Sequence, residues 1–422
     1  MKFSKLSQFF LVSTIGLLVA TLLTSCEITT IDYVFVASSQ GSGTGSPGQI
    51  ETYDADSQTG ALRTGGPAVN SGGSNPVAMA VTSDYQSIYV ANAGNNSIVH
   101  FAIASNGVLT QKDTVTATSM PVALAVNTAG TYLYVVSCVP TSSTALTCAG
   151  AATLSAYSLS SGTIGSKVLQ QTLSLSGISS AYASDVLVPT GVAVLANNST
   201  VSGNAVFVTA YDQSAYNPGG TTTSTANPGW VFSFAIGSGG ALTPATGSPY
   251  MAGVKPTAIT ADPTNRFVYV TDFASNELIG YTIQDGSTLD FMVNGPFRTG
   301  NEPQAVVVDQ RGLYIYVANA LDSSVSAYNI TLATGAPSAV VNVIGSQINS
   351  TDTTPVAILV DAAVGRFVYT ANYQGNSVSG FKLNADSGSL APTQATPYPT
   401  GFQPTALVSV PHGNHALQTV TP

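Results

Sequence analysis

The stretch from Pro303 to Tyr328, PQAVVVDQRGLYIYVANALDSSVSAY, decides the fold of this chain. It contains three short runs rich in Val, Ile, Ala and Tyr, which are separated by turn residues at Asp309–Gly312 and at Asp322–Ser323. These residue types favour β-strands, and the runs show no helical periodicity. The stretch therefore predicts three consecutive antiparallel strands. Pro303 opens the first of them, a position where a missing N–H is tolerated.

The same pattern recurs along the chain. Pro-led apolar runs begin 45 to 68 residues apart, at Pro76, Pro121, Pro189, Pro256, Pro303, Pro355 and Pro404. Seven runs resemble Tyr-Val-x-Asn, at Phe35–Ser38, Tyr89–Asn92, Tyr134–Ser137, Phe207–Ala210, Tyr269–Asp272, Tyr316–Asn319 and Tyr369–Asn372. A third run ending in Tyr or Phe follows each of them, and a turn such as Gly60-Ala-Leu62 introduces a fourth in most units.

Seven units of four strands predict an all-β, seven-bladed β-propeller with four antiparallel strands per blade. The first unit begins at its second strand, whereas the last Pro-led strand, 403–410, has no unit after it. We therefore expect the C-terminal strand to pair into the first blade, which closes the ring without an exposed edge. On this interpretation residues 31–410 form one domain and residues 411–422 form a C-terminal tail.

The composition excludes several classes of function. The chain has 422 residues, only 7% of them charged, and a formal net charge of −9. Its 11 Lys and Arg side chains are too few for a basic stripe, so we expect no nucleic-acid binding. The hydrophobic content of 44% and the recurring strands argue against a disordered chain.

The first residues are typical of an export signal. Lys2 and Lys5 precede an apolar run from Phe9 to Leu23, which is too short to span a bilayer comfortably. The run ends in Leu23-Thr-Ser-Cys26, which resembles the bacterial lipobox. We expect residues 1–25 to be a lipoprotein signal peptide, Cys26 to be lipidated and residues 26–30 to form a tether. A membrane anchor followed by an incidental cysteine is the alternative. The predicted location is the bacterial cell envelope, on the periplasmic face or in the outer membrane.

Two further cysteines lie ten positions apart. Cys138 and Cys148 flank one Ser/Thr-rich loop. Outside the cytosol, a disulfide that staples this loop is the favoured interpretation. Two unpaired, small apolar side chains are the alternative.

The repeated phrases Pro-x-Ala-x-x-Val, Tyr-Val-x-Asn and Asn-Ser-Val-x-x-Phe/Tyr resemble those of YVTN-repeat and lactonase-type propellers. That family includes the propeller form of 6-phosphogluconolactonase, so the resemblance implies lactone hydrolysis. Those relatives carry Gly-Pro-Arg-His where an inner strand begins, whereas here the matching positions read Lys255-Pro-Thr and Glu302-Pro-Gln. Without an arginine fork for a phosphate, the resemblance implies an unphosphorylated lactone.

Three charged residues are predicted to lie together at one end of the ring, which we call the upper mouth and where the Pro-led strands begin. Lys255 and Glu302 each precede an inner-strand Pro in adjacent blades, and Asp272 ends a second strand. A carboxylate beside a lysine suits a general base acting on a lactone carbonyl. A rim salt bridge is the structural alternative.

Neutral polar and aromatic residues occupy the same end. Asn92, Asn319 and Asn372 share the register of Asp272, either as a polar ring around the mouth or as Asx-type turn residues. Aromatic side chains also fall in the upper loops and suit a glycan, a lactone or a protein ligand, or else pack between neighbouring loops. They are Tyr182, Tyr211, Tyr216, Tyr250, Phe273, Phe297, Tyr373 and Phe402.

Three functions therefore remain open on the sequence. The first is an envelope lipoprotein whose propeller is a binding platform for a ligand or protein, the second is a lactone hydrolase, and the third is a structural envelope protein. The only histidines are His100, His412 and His415, and they do not form a metal motif. No phosphate-cradling glycine loop is present, so we expect no metal and no cofactor. We expect a monomer.

Overall fold

The chain folds into seven four-stranded antiparallel blades. A computed structural model describes residues 29–40, 47–141, 147–178, 182, 186–196, 204–213, 229–341 and 348–413, without the side chain of Gln40. The strands nearest the axis are Phe402–Pro411, Pro76–Val81, Met120–Val126, Leu187–Val194, Pro256–Ala261, Pro303–Val308 and Pro355–Val360 for blades 1 to 7. The second strands are Thr30–Gln40, Ser87–Asn92, Tyr132–Pro140, Ala205–Asp212, Phe267–Asp272, Tyr314–Asn319 and Phe367–Asn372.

The outer half of each blade is completed by a third strand and an edge. The third strands are Gln49–Asp56, Ser97–Ile103, Cys148–Ser160, Trp230–Ile236, Glu277–Gln284, Ser324–Ile330 and Ser377–Leu383. The edge is one strand in blades 2 and 3, Leu109–Thr116 and Thr163–Thr172. Elsewhere it is split into two pieces: Leu62–Thr64 with Val69–Asn70, Leu242–Pro244 with Tyr250–Met251, Thr288–Phe291 with Phe297–Arg298, Pro337–Ala339 with Asn349–Ser350, and Leu390–Pro392 with Tyr398–Pro399. Two short 3-10 turns, Ala93–Asn95 and Ser238–Gly240, lie between the strands.

The ring closes as the sequence predicts. The C-terminal strand pairs antiparallel with Thr30–Gln40, with Val34 opposite Ser409 and Ala37 opposite Ala406. The seven innermost strands contact one another in a closed cycle, which places them around the axis. The predicted seven-bladed architecture is confirmed.

Apolar side chains fill each seam between neighbouring blades. In the seam between blades 7 and 1, for example, Val36 and Leu407 of blade 1 pack with Tyr369 of blade 7. Equivalent clusters join every other adjacent pair of blades. Because both faces of a blade are covered in this way, its strands bury apolar side chains on both sides rather than alternating with water.

The repeated tyrosine also bridges blades through its hydroxyl group. Tyr316 of blade 6 donates a hydrogen bond of 2.9 Å to the carbonyl of Gly388, which lies in the outer turn of blade 7. The same bond joins the matching tyrosines and glycines of other blade pairs, at Tyr89 and Gly162, Tyr269 and Gly335, and Tyr369 and Gly60. A Cβ on Gly388 would lie 2.2 Å from the ring of Tyr314, and its φ is +71°, so only glycine fits this turn.

Replacing Tyr316 with Phe removes one such bridge and leaves a buried carbonyl without its donor. We expect a loss of about 1–2 kcal/mol in the free energy of unfolding, measured by urea denaturation. Tyr134 is the matched control, because its buried hydroxyl has no hydrogen-bond partner among the described residues. Tyr134→Phe should leave stability unchanged, and an equal loss in both variants would refute the bridging role.

Candidate functional site: the upper mouth of the ring

The upper mouth is built from two residues of each blade. In blades 2, 5, 6 and 7, one residue precedes the inner strand, the other follows the second strand, and a backbone hydrogen bond joins them. The N–H of Phe273 donates to the carbonyl of Lys255 at 3.0 Å, and that of Ala320 donates to Glu302 at 2.8 Å. These bonds form because the Pro at the start of the inner strand pairs with the last residue of the second strand. The same bond joins Tyr373 to Thr354 in blade 7.

Lys255 lies among aromatic rings at this mouth. Its Nζ is 3.9 Å from the ring centre of Phe273 and 5.9 Å from that of Tyr211. Partial burial lowers the pKa of Lys255, and the negative charge of Glu302 opposes this shift. The structure therefore brings together four predicted site residues from blades 4, 5 and 6: Lys255, Glu302, Tyr211 and Phe273.

Glu302 is held in an uncommon backbone conformation. Its φ is +55°, in the left-handed region that non-glycine residues rarely adopt. Its N–H donates a 2.8 Å hydrogen bond to Oδ1 of Asn276 in the preceding blade. Gln403, the second residue of the inner strand of blade 1, has a φ of +56° and an equivalent bond to Asn376. Glu302 and Gln403 are thus positioned by the neighbouring blade, which sequence spacing alone did not reveal.

Asp272 does not belong to the mouth surface. Its side chain is fully buried, and its carboxylate accepts three backbone N–H groups, from Val254 at 2.9 Å, Lys255 at 2.9 Å and Ala274 at 3.1 Å. A Cβ on Gly253 would lie 2.0 Å from Oδ2, so glycine is required beside it. The predicted role as a general base does not fit this geometry, because Asp272 instead holds the backbone that presents Lys255.

The three asparagines in the same register are also buried. The predicted polar ring is wrong in placement, because Asn92, Asn319 and Asn372 have no exposed surface and point into the blades. Each Nδ2 donates to the serine five residues later, at 3.0 to 3.2 Å: Ser97, Ser324 and Ser377. The Asn-x4-Ser spacing in the sequence was the signal for this clamp, which ties the start of the third strand to the end of the second.

The remaining predicted groups have varied positions. Cys138 and Cys148 form a disulfide with a Cα–Cα distance of 5.6 Å, and both are buried near Met120 at the upper end of blade 3.

The ring of Tyr182 packs edge-on against Trp230, with ring centres 5.4 Å apart, which is the packing role left open for these aromatics. Phe402 is 45% exposed, whereas Tyr373 is half-buried. Cys26, Tyr216 and His415 lie outside the described residues.

A serine, a histidine and an aspartate that the sequence analysis did not connect meet at the outer edge of blade 2. Nδ1 of His100 is 2.7 Å from Oδ1 of Asp113, and Nε2 is 3.0 Å from Oγ of Ser87. This is the order of contacts found in serine hydrolases. However, Ser87 is only 5% exposed, and a Cβ on Gly162 of blade 3 would lie 2.5 Å from its Oγ.

The outer turn of blade 3 therefore covers the serine, and the three side chains act as a link between blades. Oδ2 of Asp113 accepts the N–H of Ile164 in blade 3 at 2.9 Å. Five other blades carry an aromatic residue at the position of Ser87, for example Phe267 or Phe367, and here the ring of His100 supplies the packing volume against Gly162.

Within the described residues, no group of three or more His, Cys, Asp or Glu side chains could hold a metal ion. None of the described helices has the length and apolar character needed to cross a membrane.

Comparison with known proteins extends these observations. The family model described as lactonase, 7-bladed β-propeller, matches residues 48–144 and 248–416. The structure of a candidate 6-phosphogluconolactonase from Bacteroides fragilis matches this one with a TM-score of 0.68 and 16% sequence identity. The match covers 91% of this chain and 99% of that protein. The structure of the periplasmic gluconolactonase PpgL of Pseudomonas aeruginosa matches with a TM-score of 0.67 and 17% sequence identity. This match covers 90% of this chain and 99% of that protein. No curated protein matches the chain.

The structure predicts that Asp272→Asn destabilises the protein without touching a ligand. One amide oxygen cannot accept all three N–H groups, so we expect a loss of about 1–3 kcal/mol in the free energy of unfolding. Urea denaturation would measure it. Asp290→Asn, at an exposed position on the edge of the same blade, is the control and should be neutral. An unchanged stability for Asp272→Asn would contradict the positioning role.

The Ser87–His100–Asp113 link gives a separate prediction. His100→Ala removes two buried hydrogen bonds and leaves a void beside Tyr89, so it should cost about 2–4 kcal/mol of stability. A fluorophosphonate probe should leave Ser87 unmodified in the wild-type protein. Labelling of Ser87, detected by peptide mass spectrometry, would show that the turn around Gly162 opens and that the serine is reactive.

Proposed function

Because this chain belongs to the lactonase seven-bladed β-propeller family, we propose that it binds an unphosphorylated lactone at the upper mouth of its ring and hydrolyses it there. The observation that carries this proposal is the grouping of Lys255, Glu302, Phe273 and Tyr211, the cation and carboxylate coming from adjacent blades. The reaction itself is an inference from the family and from the chemistry of these side chains.

The two charged groups have complementary roles in this reaction. Glu302 would accept a proton from a water molecule that attacks the lactone carbonyl. Lys255 would stabilise the negative charge that develops on the carbonyl oxygen, an effect strengthened by the partly desolvated environment. The ring oxygen then leaves and is protonated, which yields a hydroxy acid. The faces of Tyr211 and Phe273 would contact the apolar face of the lactone ring.

Two observations favour an uncharged substrate over a phosphorylated one. The residues before and after each inner-strand Pro include no arginine, so the mouth lacks the fork that binds phosphate in two places. Arg266 and Arg311 lie instead in hairpins at the opposite, lower end, where Arg311 contacts Asp309 at 2.9 Å and Arg266 lies 4.0 Å from Asp262.

A binding platform without catalysis is the second candidate. Aromatic residues lie at the upper ends of the second strands of blades 4, 5 and 7: Tyr211 is the next-to-last residue of its strand, and Phe273 and Tyr373 follow theirs. Aromatic rings combined with few charges suit a glycan or a protein surface. Under this candidate Lys255 contributes to affinity, and Glu302 has no role in bond cleavage.

We also propose that the protein is lipid-anchored in the cell envelope through Cys26, with residues 1–25 removed. The first strand begins at Thr30, at the lower end of the ring, only four residues after Cys26. Four extended residues reach about 14 Å. The anchor would therefore hold the lower end near the bilayer, and the upper mouth would face away from it.

The test uses the full chain in a mild detergent and a panel of sugar and aliphatic lactones, with base uptake followed in a pH-stat. Glu302→Gln should lower kcat by about 100-fold or more with little change in KM. For Lys255→Met, the loss of transition-state stabilisation calculated from kcat/KM should exceed the loss in the free energy of unfolding. Asp290→Asn provides the control for a lost carboxylate far from the mouth.

Each outcome decides between the candidates. Hydrolysis that survives Glu302→Gln unchanged would refute the assigned base. Lactone binding by calorimetry without turnover, abolished by Lys255→Met, would establish the platform and refute the hydrolase. If no lactone on the panel is bound or hydrolysed, the proposed substrate class is wrong, and a glycan array would test the platform directly.

A further inference from the structure

Two carboxyl groups face each other inside the seam that closes the ring. Asp32 lies near the start of the N-terminal strand in blade 1, and Asp361 follows the inner strand of blade 7. Both side chains have no exposed surface. The N–H of Ala363 in the blade 7 hairpin donates to Oδ1 of Asp32 at 3.2 Å, so the two blades meet at this point.

The two carboxyl groups are supported very unequally. Asp361 accepts four backbone N–H groups of its own hairpin, from Val364, Gly365, Arg366 and Phe367. Four donors are enough to stabilise a buried carboxylate. Asp32 receives only the N–H of Ala363, and its Oδ2 has no hydrogen-bond partner among the described residues. An ionised Asp32 would therefore be a poorly compensated buried charge, which is costly.

The equivalent aspartates of the neighbouring blades have a different environment. Asp262 of blade 5 and Asp309 of blade 6 occupy the same hairpin position, and their nearest charged partners are Arg266 and Arg311. In blade 7 the group that faces the aspartate is a second carboxyl. At the seam where the two ends of the chain meet, a second carboxyl thus takes the place of the nearby arginine seen in blades 5 and 6.

We propose that Asp32 is protonated in the folded protein and shares its proton with Asp361, which makes the closure of the ring stronger in acid than in alkali. The hydroxyl of a neutral Asp32 gives Oδ2 a donor role toward the well-supported carboxylate of Asp361. Removing this proton would leave two buried negative charges side by side, at the contact between the first and last strands of the chain.

Among the described residues, the other ionisable groups near the pair are phenols, an imidazole and a further carboxyl, and Arg366, whose backbone N–H donates to Asp361, has an exposed side chain. Tyr369 of blade 7 and Tyr85 of blade 2 face the pair, and burial raises the pKa of both phenols. Tyr33 lies next along the same strand, and His412, at the end of the C-terminal strand, packs against the ring of Tyr33 at 5.0 Å. Asp56, in the third strand of blade 1, acts electrostatically on Tyr369 and adds further negative charge.

The direction of the pH effect follows from these contacts. Burial raises the pKa of Asp32 well above its usual value, and the neighbouring Asp361 raises it further; burial also raises the pKa of Asp361. The folded protein therefore keeps a proton that an unfolded aspartate releases near pH 4. This contribution to stability is complete below the usual aspartate pKa and is lost as pH rises through the raised value.

The test compares the full chain with Asp32→Asn by urea unfolding between pH 4 and pH 9. An asparagine amide can donate to Asp361 at every pH, so this variant lacks the linked proton. Between the usual aspartate pKa and the raised value, the ratio of the wild-type to the variant unfolding constant should rise by about tenfold per pH unit. Asp290→Asn is the control and should keep the wild-type pH dependence.

Two further measurements make the result independent of overall stability. The infrared spectrum of the wild-type protein at neutral pH should show a protonated carboxylic acid band that is absent in Asp32→Asn. Hydrogen exchange at Val34–Ala37 should accelerate in alkali beyond the intrinsic rate, whereas exchange at Tyr314–Asn319 in blade 6 should not. Identical pH dependence in both proteins, or a wild-type spectrum without the acid band, would overturn the proposal.

Discussion

The pairing of the first strand with the last is the contact on which the rest of this structure depends. Blade 1 takes its inner strand, Phe402–Pro411, from the C-terminus and its other strands from the N-terminus. Without that pairing, the edge of Thr30–Gln40 would be exposed and the seams on both sides of blade 1 would lose their apolar cover. The geometry of the upper mouth depends on closure, because mouth residues such as Glu302 and Gln403 are held by hydrogen bonds to the neighbouring blade.

Repetition places the mouth residues, and small departures from it give them their chemistry. In each blade one residue precedes the inner-strand Pro, and five of the seven such positions are neutral. Lys255 and Glu302 lie near each other because they occupy this position in neighbouring blades. Their surroundings differ in kind: burial and aromatic rings act on the lysine, whereas a left-handed backbone fixes the glutamate.

The fold could be predicted from the sequence because its signals are repeated and local. The Pro-led runs and the tyrosine-rich second strands mark the same elements in each unit, so even the unusual closure followed from counting strands. The site was harder, since Asp272, Asn92, Asn319 and Asn372 have the right register but the wrong direction. Register fixes where a residue falls along a strand, but only the turn conformation decides whether its side chain points to solvent or to backbone N–H groups. Contacts between blades, such as that of Asp113 with Ile164, join residues with no shared motif and required the folded structure.

The position of the last strand also has a consequence for how the protein is made. The first strand to leave the ribosome cannot acquire its inner neighbour until the final residues of the ring have been synthesised. Blade 1 must then remain incomplete throughout translation, with its second strand lacking its inner neighbour until Phe402–Pro411 has been made. A chain that terminates anywhere before Phe402 has an open edge on blade 1. Whether a given copy can close its ring is therefore decided at the end of its synthesis rather than at the beginning.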